Sequence, residues 1–329
     1  MNGGFFPLDG FMDKITYHSV IHEMRLPDGS IWPIPIIFDI DHQTFDRIKT
    51  ATKIALKNTE GTILAYLDIS EIWQPEKSLE AELVYGTTSE EHPGVSFLFN
   101  QTGDYYVGGK ITPIQLPKHY DFQEFRKTPE ELKAHFKNQG YQRIVAFQTR
   151  NPLHKAHLAL ISNAVKGIDG HLLLHPTVGM TKPGDVDHFT RVKCYQKFLP
   201  YCNASVTLSL LPLSMRMAGP KEAIWHAIIR RNYGATHFII GRDHAGPGKD
   251  STGKDFYPPY AAQELANCLG IELSQEKLDY ITKNLFGGAG TFRKGQIGSW
   301  KDFFSKEQLC LFNQKWGIFQ KALGYSLYE

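Results

Sequence analysis

Residues 143–157, Arg-Ile-Val-Ala-Phe-Gln-Thr-Arg-Asn-Pro-Leu-His-Lys-Ala-His, constrain this chain more than any other stretch. Ile144 to Phe147 is a short apolar run of strand type, and Gln148 to Leu153 is a polar turn closed by a proline. Leu153, Ala156, Leu160, Ile161 and Ala164 then recur at helical spacing. Strand, turn and helix in that order open an α/β unit whose helix N-terminus is a natural anion site. His154 and His157 fall on one face of the first helical turn, with Arg150 and Asn151 just ahead of them. A cation, two imidazoles and amide groups therefore converge where a phosphate or sulfate could sit.

The rest of the chain supplies the matching sheet. His171 to His175, Ser205 to Leu211 and Thr236 to Ile240 read as strands, with helices expected near 189–198 and 220–233. Such alternation predicts a parallel sheet covered on both faces, with ligands beyond the carboxyl ends of the strands. Residues 1–119 read differently, as a small, mostly β domain. Trp32 to Ile40, Gly61 to Ile69 and Tyr105 to Ile114 are its strand or hairpin candidates, and Asp41 to Lys57 is its one helix candidate. Gly3 to Met12 reads as a tight turn packed against a neighbour. Three segments are expected: 1–119, 120–270 and a helical C-terminal tail over 271–329, with a helix over Gln275 to Leu285.

Composition narrows the partners. At 329 residues and 42% hydrophobic content the chain can bury a sizeable core, and a net charge of +2 suggests no nucleic-acid partner. Four cysteines without CxxC spacing read as reduced thiols in a cytoplasmic protein rather than a zinc site. No apolar run is long enough for a membrane span, and the N-terminus lacks the pattern of a secretory signal.

Three further segments after strands carry chemistry. Gly241-Arg242-Asp243-His244-Ala245-Gly246-Pro247-Gly248-Lys249 is a glycine-rich loop in which Arg242 could meet a phosphate and Asp243 would pair with Arg242 or a backbone amide. Met215-Arg216-Met217-Ala218-Gly219-Pro220 offers Arg216 as a phosphate ligand. Lys182 to Arg191 holds Asp185, Asp187, His188 and Arg191. These read as a loop with a helix N-cap at Asp187 or His188 rather than as a metal site. No Walker-type loop, paired-Cys pattern or Ser-His-Asp order is present, so positioning and electrostatic stabilisation are the expected means of catalysis.

Gln148 to His157, Met215 to Pro220 and Gly241 to Gly248 together resemble the signature segments of the ATP sulfurylase (sulfate adenylyltransferase) family. The resemblance runs from about residue 3 to about 270 and includes Gly4 to Met12, Arg25 to Pro35 and Tyr257 to Leu265. It implies a PUA-like β domain followed by a Rossmann-like nucleotidyltransferase domain. It also implies a reaction joining sulfate to the α-phosphate of MgATP, with Mg2+ brought by the nucleotide and no protein metal ligand. Carried over by position, Gln148, Arg150 and Ala245 would hold sulfate, and Thr149, Arg150 and Asn151 would form the catalytic segment. His154 and His157 would bind the phosphates and stabilise the charged transition state, and Gly241, Arg242, Asp243 and His244 would contact ATP. ATP and sulfate are the expected partners, with a homo-oligomer as a further expectation.

Both ends depart from that pattern. The family usually has several dozen more residues of β domain ahead of where this chain begins. After about residue 270 its adenine-enclosing strand and Ser-Gly-Thr-Glu-Leu-Arg-type segment give way to Thr291 to Asp302. That stretch resembles the C-terminal tail of PAPS-dependent sulfotransferases, in which Arg293, Lys294 and Gly295 would grip a 3′-phosphate. The alternative expectation is therefore a non-catalytic or regulatory fusion that binds nucleotide or PAPS.

Overall fold

The computed structural model describes residues 1–181, 184–202 and 204–271. The tail residues Arg293, Lys294 and Gly295, and the helix expected over 275–285, lie outside the described residues.

The N-terminal half begins with β1 (Gly10–Phe11) and α1 (Lys14–Glu23), then β2 (Phe38–Ile40), α2 (His42–Ile48), β3 (Lys53–Lys57) and β4 (Ile63–Trp73). α3 (Lys77–Glu80), a π-helical turn over Ala81–Tyr85, α4 (Pro93–Asn100) and β5 (Tyr105–Pro113) complete it. The strands form one antiparallel sheet in the order β1-β5-β4-β3, with β2 also paired to β5. The expected helix over Asp41 to Lys57 ends at Ile48, and Lys53–Lys57 is a strand. There Ile54 and Leu56 turn inward between the exposed Lys53, Ala55 and Lys57, a period of two that no helix can bury.

Three helices of this half escaped the sequence reading: α1, the one-turn α3, and α4. α1 is rich in β-branched residues, which lowers helix propensity, yet Asp13 caps it by accepting from the Thr16 N–H at 2.8 Å. α4 opens on Pro93 and is capped by the ring of His92, which accepts from the Gly94 N–H at 3.1 Å. Tyr105–Pro113 is a single strand, not a hairpin. Gly109, at φ +157°, sits where the β4 register shifts between Ile69 and Glu71. A Cβ there would lie 2.1 Å from the Asp68 carbonyl oxygen, so the crossing of the two strands requires glycine.

The second half follows the expected alternation. α5 (Pro129–Asn138) starts with a Thr128/Glu131 capping box. Next come β6 (Ile144–Phe147), α6 (Lys155–Ile168), β7 (His171–Leu174), α7 (His188–Phe198), β8 (Val206–Leu208), α8 (Gly219–Asn232), β9 (His237–Phe238) and α9 (Ala261–Cys268). Strand order is β8-β7-β6-β9, all parallel. Every residue of β6 and β7 is buried, as a strand covered on both faces requires.

Residues 1–273 form one compact unit. A single buried apolar cluster runs from Tyr17, Ile21 and Trp32 through Leu132 and Ile144 to Trp225 and Ile229, so the antiparallel and parallel halves share a core. Val145, Leu172, Leu174, Val192 and Leu208 make a second cluster around the parallel sheet. No helix among the described residues is long and apolar enough to cross a membrane.

Candidate active site

The four loops leaving the carboxyl ends of the parallel strands are stitched together by backbone hydrogen bonds. The Thr177 N–H donates to the Thr149 carbonyl at 3.2 Å, and the Val178 N–H to the Leu211 carbonyl at 2.9 Å. The Met215 N–H reaches the Met180 carbonyl at 2.8 Å, and the Gly219 N–H reaches the Ala245 carbonyl at 3.2 Å. The turn, glycine-rich loop and Met-Arg-Met loop read from the sequence therefore meet at one end of the sheet.

Within the first turn, the Thr149 hydroxyl donates to the Asn151 carbonyl at 2.8 Å and accepts the Asn151 N–H at 3.1 Å. This closes the turn and leaves the Arg150 and Asn151 side chains free of that backbone work. Gln148 Nε2 lies 3.5 Å from Met215 Sδ, which ties the first turn to the Met-Arg-Met loop. Arg150 is paired with Asp185, both largely buried, with side-chain exposures of 15% and 7%. Asp185 thus holds the forked cation with a carboxylate, a planar stand-in for a two-pronged oxyanion contact.

His154 is the N-cap residue of α6, and His157 lies one turn on, with ring centres 3.9 Å apart. His157 Nδ1 accepts the His154 N–H at 3.4 Å, so the neutral ring carries its proton on Nε2 as a donor. Burial first, and then the neighbouring His154, push His157 down to about 4, so it works as a neutral donor near pH 7. With the positive end of α6 behind them, the two rings have the chemistry to donate to anionic oxygens.

The other two loops are held in conformations that non-glycine residues seldom adopt. Met217 (φ +60°), Asp243 (φ +53°) and Ala245 (φ +54°) are all left-handed. Gly219 has φ +50°, and a Cβ there would press within 2.4 Å of the Tyr257 ring. What holds them is buried. The Glu222 carboxylate accepts the Arg216 N–H at 2.9 Å and the Ala218 N–H at 3.0 Å. Glu222 Oε1 also lies 3.2 Å from His226 Nε2, at an angle outside hydrogen-bond geometry, and His226 Nδ1 is 3.1 Å from His244 Nε2. From the N-terminal half, His92 Nε2 sits 3.1 Å from the Met217 carbonyl oxygen and 3.0 Å from the Tyr257 hydroxyl. Because Nδ1 of His92 accepts backbone N–H groups, its Nε2–H is the donor to Met217.

Glu222→Ala should therefore cost roughly 2 kcal/mol or more, by leaving two buried N–H groups unsatisfied. Urea unfolding measures the loss, and a midpoint equal to wild type would show that these two hydrogen bonds contribute nothing.

The structure brings together Gln148, Thr149, Arg150, Asn151, His154 and His157 on the first turn, and Gly241, Arg242, Asp243, His244 and Ala245 on the glycine-rich loop. Asp243 accepts from Arg242 Nε at 3.1 Å, the pairing expected from the sequence. Arg216 lies elsewhere. Its side chain lines a cavity of about 20 Å³ with Glu80, Tyr85 and Tyr106, and its Nε is buried without a hydrogen-bond partner. Asp187 caps α7 by accepting the Thr190 N–H at 2.9 Å, and His188 Nε2 contacts Asp121 at 3.2 Å. With Asp185 on Arg150, the acidic residues of that loop are engaged separately, and no group of three or more potential metal ligands occurs among the described residues. Glu222, His226 and His92 were missed. An acid and a histidine four apart on a helix were the sequence signal for the first two, but nothing marked that face as buried.

Two family models and a set of known proteins match this chain. The ATP-sulfurylase family model matches residues 123–280, and the PUA-like domain model matches residues 1–116. Sulfate adenylyltransferase of Saccharomyces cerevisiae is 51% identical over 281 residues, covering 85% of this chain and 55% of that protein. Sulfate adenylyltransferase of Schizosaccharomyces pombe is 51% identical over 276 residues, 83% of this chain and 56% of that protein. The solved structure titled hexameric APS kinase from Thiobacillus denitrificans matches with a TM-score of 0.61 at 30% identity, over 74% of this chain and 44% of that one. The chain spans about half the length of the curated relatives it matches. Through residue 280, then, it carries a region matching the PUA-like domain followed by one matching ATP-sulfurylase, and it is similar to sulfate adenylyltransferases at about half identity.

Proposed function

We propose that this chain is a sulfate adenylyltransferase, converting ATP and sulfate to adenosine 5′-phosphosulfate and pyrophosphate. What supports the reading is that Arg150 and the His154–His157 pair on a helix N-terminus follow β6, and the Gly241–Ala245 loop follows β9, its parallel neighbour, so both leave the same end of the sheet. Half-identity to sulfate adenylyltransferases over 281 residues supports it.

In this reading Gln148, Arg150 and Ala245 bind sulfate. His154, His157, Arg242 and the backbone of Gly241 to His244 bind the nucleotide. A sulfate oxygen attacks the α-phosphorus in line, the bond to the pyrophosphate oxygen breaks, and pyrophosphate leaves. No enzyme nucleophile is needed, so the work of the site is to hold two anions together and to stabilise charge on the transferring phosphoryl group. The neutral His157 donates from Nε2 without adding a titration near pH 7. The acidic residues beside the turn are already engaged by Arg150 and the α7 cap, which suits a Mg2+ carried on the triphosphate. The metal offsets phosphate charge when bound.

Arg216 is a positioning residue in this reading, since its side chain faces Glu80 rather than the turn. The segments 1–119 and 120–270 are taken as its PUA-like and catalytic domains, acting in the cytoplasm, with the tail residues Arg293, Lys294 and Gly295 as a 3′-phosphate site.

Pyrophosphate release from MgATP, with and without sulfate, tests the proposal in wild type and His154→Ala side by side. Sulfate-dependent release in wild type alone is expected. Its absence from a well-folded wild type would favour the regulatory, nucleotide-binding alternative.

A further inference from the structure

Arg191 is 2% exposed, at the end of the first turn of α7, and is not part of the anion site described above. One guanidinium nitrogen, Nη1, donates to two carbonyl oxygens, those of Arg150 and Thr177, at 3.0 Å each. These carbonyls belong to the loops that follow β6 and β7, neighbouring strands at the centre of the sheet. One turn further along α7, the Tyr195 hydroxyl donates to the Asn151 carbonyl at 3.1 Å. Two consecutive carbonyls of the catalytic turn are therefore turned toward α7 and occupied there. Among the described residues no carboxylate lies within ion-pair distance of Arg191, and its Nε has no hydrogen-bond partner.

A buried guanidinium without a counter-ion is costly, and structural clamping alone would be served by a neutral donor. Two features give this charge a use. Carbonyl oxygens are the negative ends of peptide dipoles, and left free at the turn they would face incoming sulfate or phosphate oxygens. The guanidinium also contributes a fixed positive field under the turn, in surroundings that screen it weakly.

We propose that Arg191 is a positioning residue for the oxyanion site, an inference that rests on the sulfate adenylyltransferase reading. It holds the carbonyls of Arg150 and Thr177 away from the anions, fixes the direction in which the Arg150 side chain leaves the turn, and lends its charge to binding of the dianion.

Arg191→Met keeps the aliphatic stem and removes both donors and charge. It is expected to raise the KM for sulfate and lower kcat, each by about tenfold or more, since displacement of a catalytic turn by about an ångström costs rates on the order of a hundredfold. Arg191→Lys keeps the charge but not the geometry of the fork. The sulfate KM should stay within about threefold of wild type while kcat falls about tenfold. In Arg191→Ala, added guanidinium ion should restore turnover that it does not raise in wild type. A purely structural role predicts equal losses in Met and Lys variants in step with their thermal midpoints, and no rescue.

If Arg191→Met does not fold, Arg191→Lys decides. Loss of sulfate affinity as large as the loss of kcat overturns the proposal, as does an unchanged kcat. Kinetic constants within about threefold of wild type in Arg191→Met overturn it directly.

Pyrophosphate binding separates this inference from the reading it rests on. If wild type lacks sulfate-dependent turnover, the reading fails. A thermal-midpoint rise given by pyrophosphate to wild type but not to Arg191→Met would still sustain the anion role. Equal rises, or none in wild type, would end it.

Discussion

Arg150→Ala is expected to lower sulfate-dependent pyrophosphate release by about 10³-fold, the scale on which a single donor to developing negative charge acts. Arg150 is the one forked cation on the turn between β6 and α6, and its side chain is only 15% exposed. A sulfate there would be held by two parallel charge-assisted hydrogen bonds, which no neighbouring group can replace. The same substitution has a second consequence. Asp185, with a side chain 7% exposed, loses its partner and leaves an unpaired carboxylate where an anion must enter. The thermal midpoint should therefore fall as well. Arg150→Ala/Asp185→Asn separates the two effects. The double variant should recover most of the midpoint and none of the turnover, because removing the stranded charge does not restore the sulfate ligand. Recovery of turnover in the double variant would show that Arg150 serves only to neutralise Asp185, and that sulfate is bound elsewhere.

The parallel sheet and the candidate loops at its end were legible in the sequence because each carries a local signal. β6 and β7 are unbroken apolar runs, and the polar segments after them are unusually rich in Arg, His and Gly. The antiparallel half was read less well. β3 was absorbed into a helix because Ala51-Thr52-Lys53 breaks the pattern only weakly. α1 was overlooked because its β-branched residues speak against a helix that tertiary packing of Tyr17, Val20 and Ile21 enforces.

In the loops at the end of the sheet, the chemistry-bearing residues were legible but the groups that hold those loops were not. Glu222, His226 and Arg191 act through burial, and burial of a charged residue depends on which elements pack over it. His92 reaches Met217 across 125 positions of sequence, a contact that no local pattern encodes. Arg216 shows the converse. In sequence it is another cation after a strand, yet the turn at Met217 sends its side chain to Glu80 and Tyr106.

Acid should unfold this protein near pH 5, before most carboxylates are protonated. His92, His171, His175 and His226 are each 3% exposed or less. Desolvation is the first cause in every case. It pushes His92 and His171 down to about 4 and His175 and His226 well below the ordinary range, the last two helped by Arg230. A histidine whose pKa is lower folded than unfolded binds its proton more readily in the unfolded chain. Stability from its neutral burial is therefore present above about pH 6.5 and is lost as pH falls below it. Each such proton contributes a slope of about 1.4 kcal/mol per pH unit, so four together give at most about 6 kcal/mol per unit, less what the buried Glu80 and Glu222 carboxyls return by taking up protons more readily in the folded state. A domain stable by roughly 5–15 kcal/mol exhausts that within one to three units.

His175 offers the cleanest test. Neither ring nitrogen has a hydrogen-bond partner, and the ring packs on Tyr233 with centres 4.7 Å apart. Phenylalanine keeps the shape and removes the proton-binding site, so His175→Phe should leave stability at pH 7.5 unchanged or raised. It should also lower the pH of half-unfolding, read by intrinsic fluorescence at fixed ionic strength. A wild-type midpoint below about pH 4, or one that His175→Phe does not move, would assign acid unfolding to the carboxylates instead.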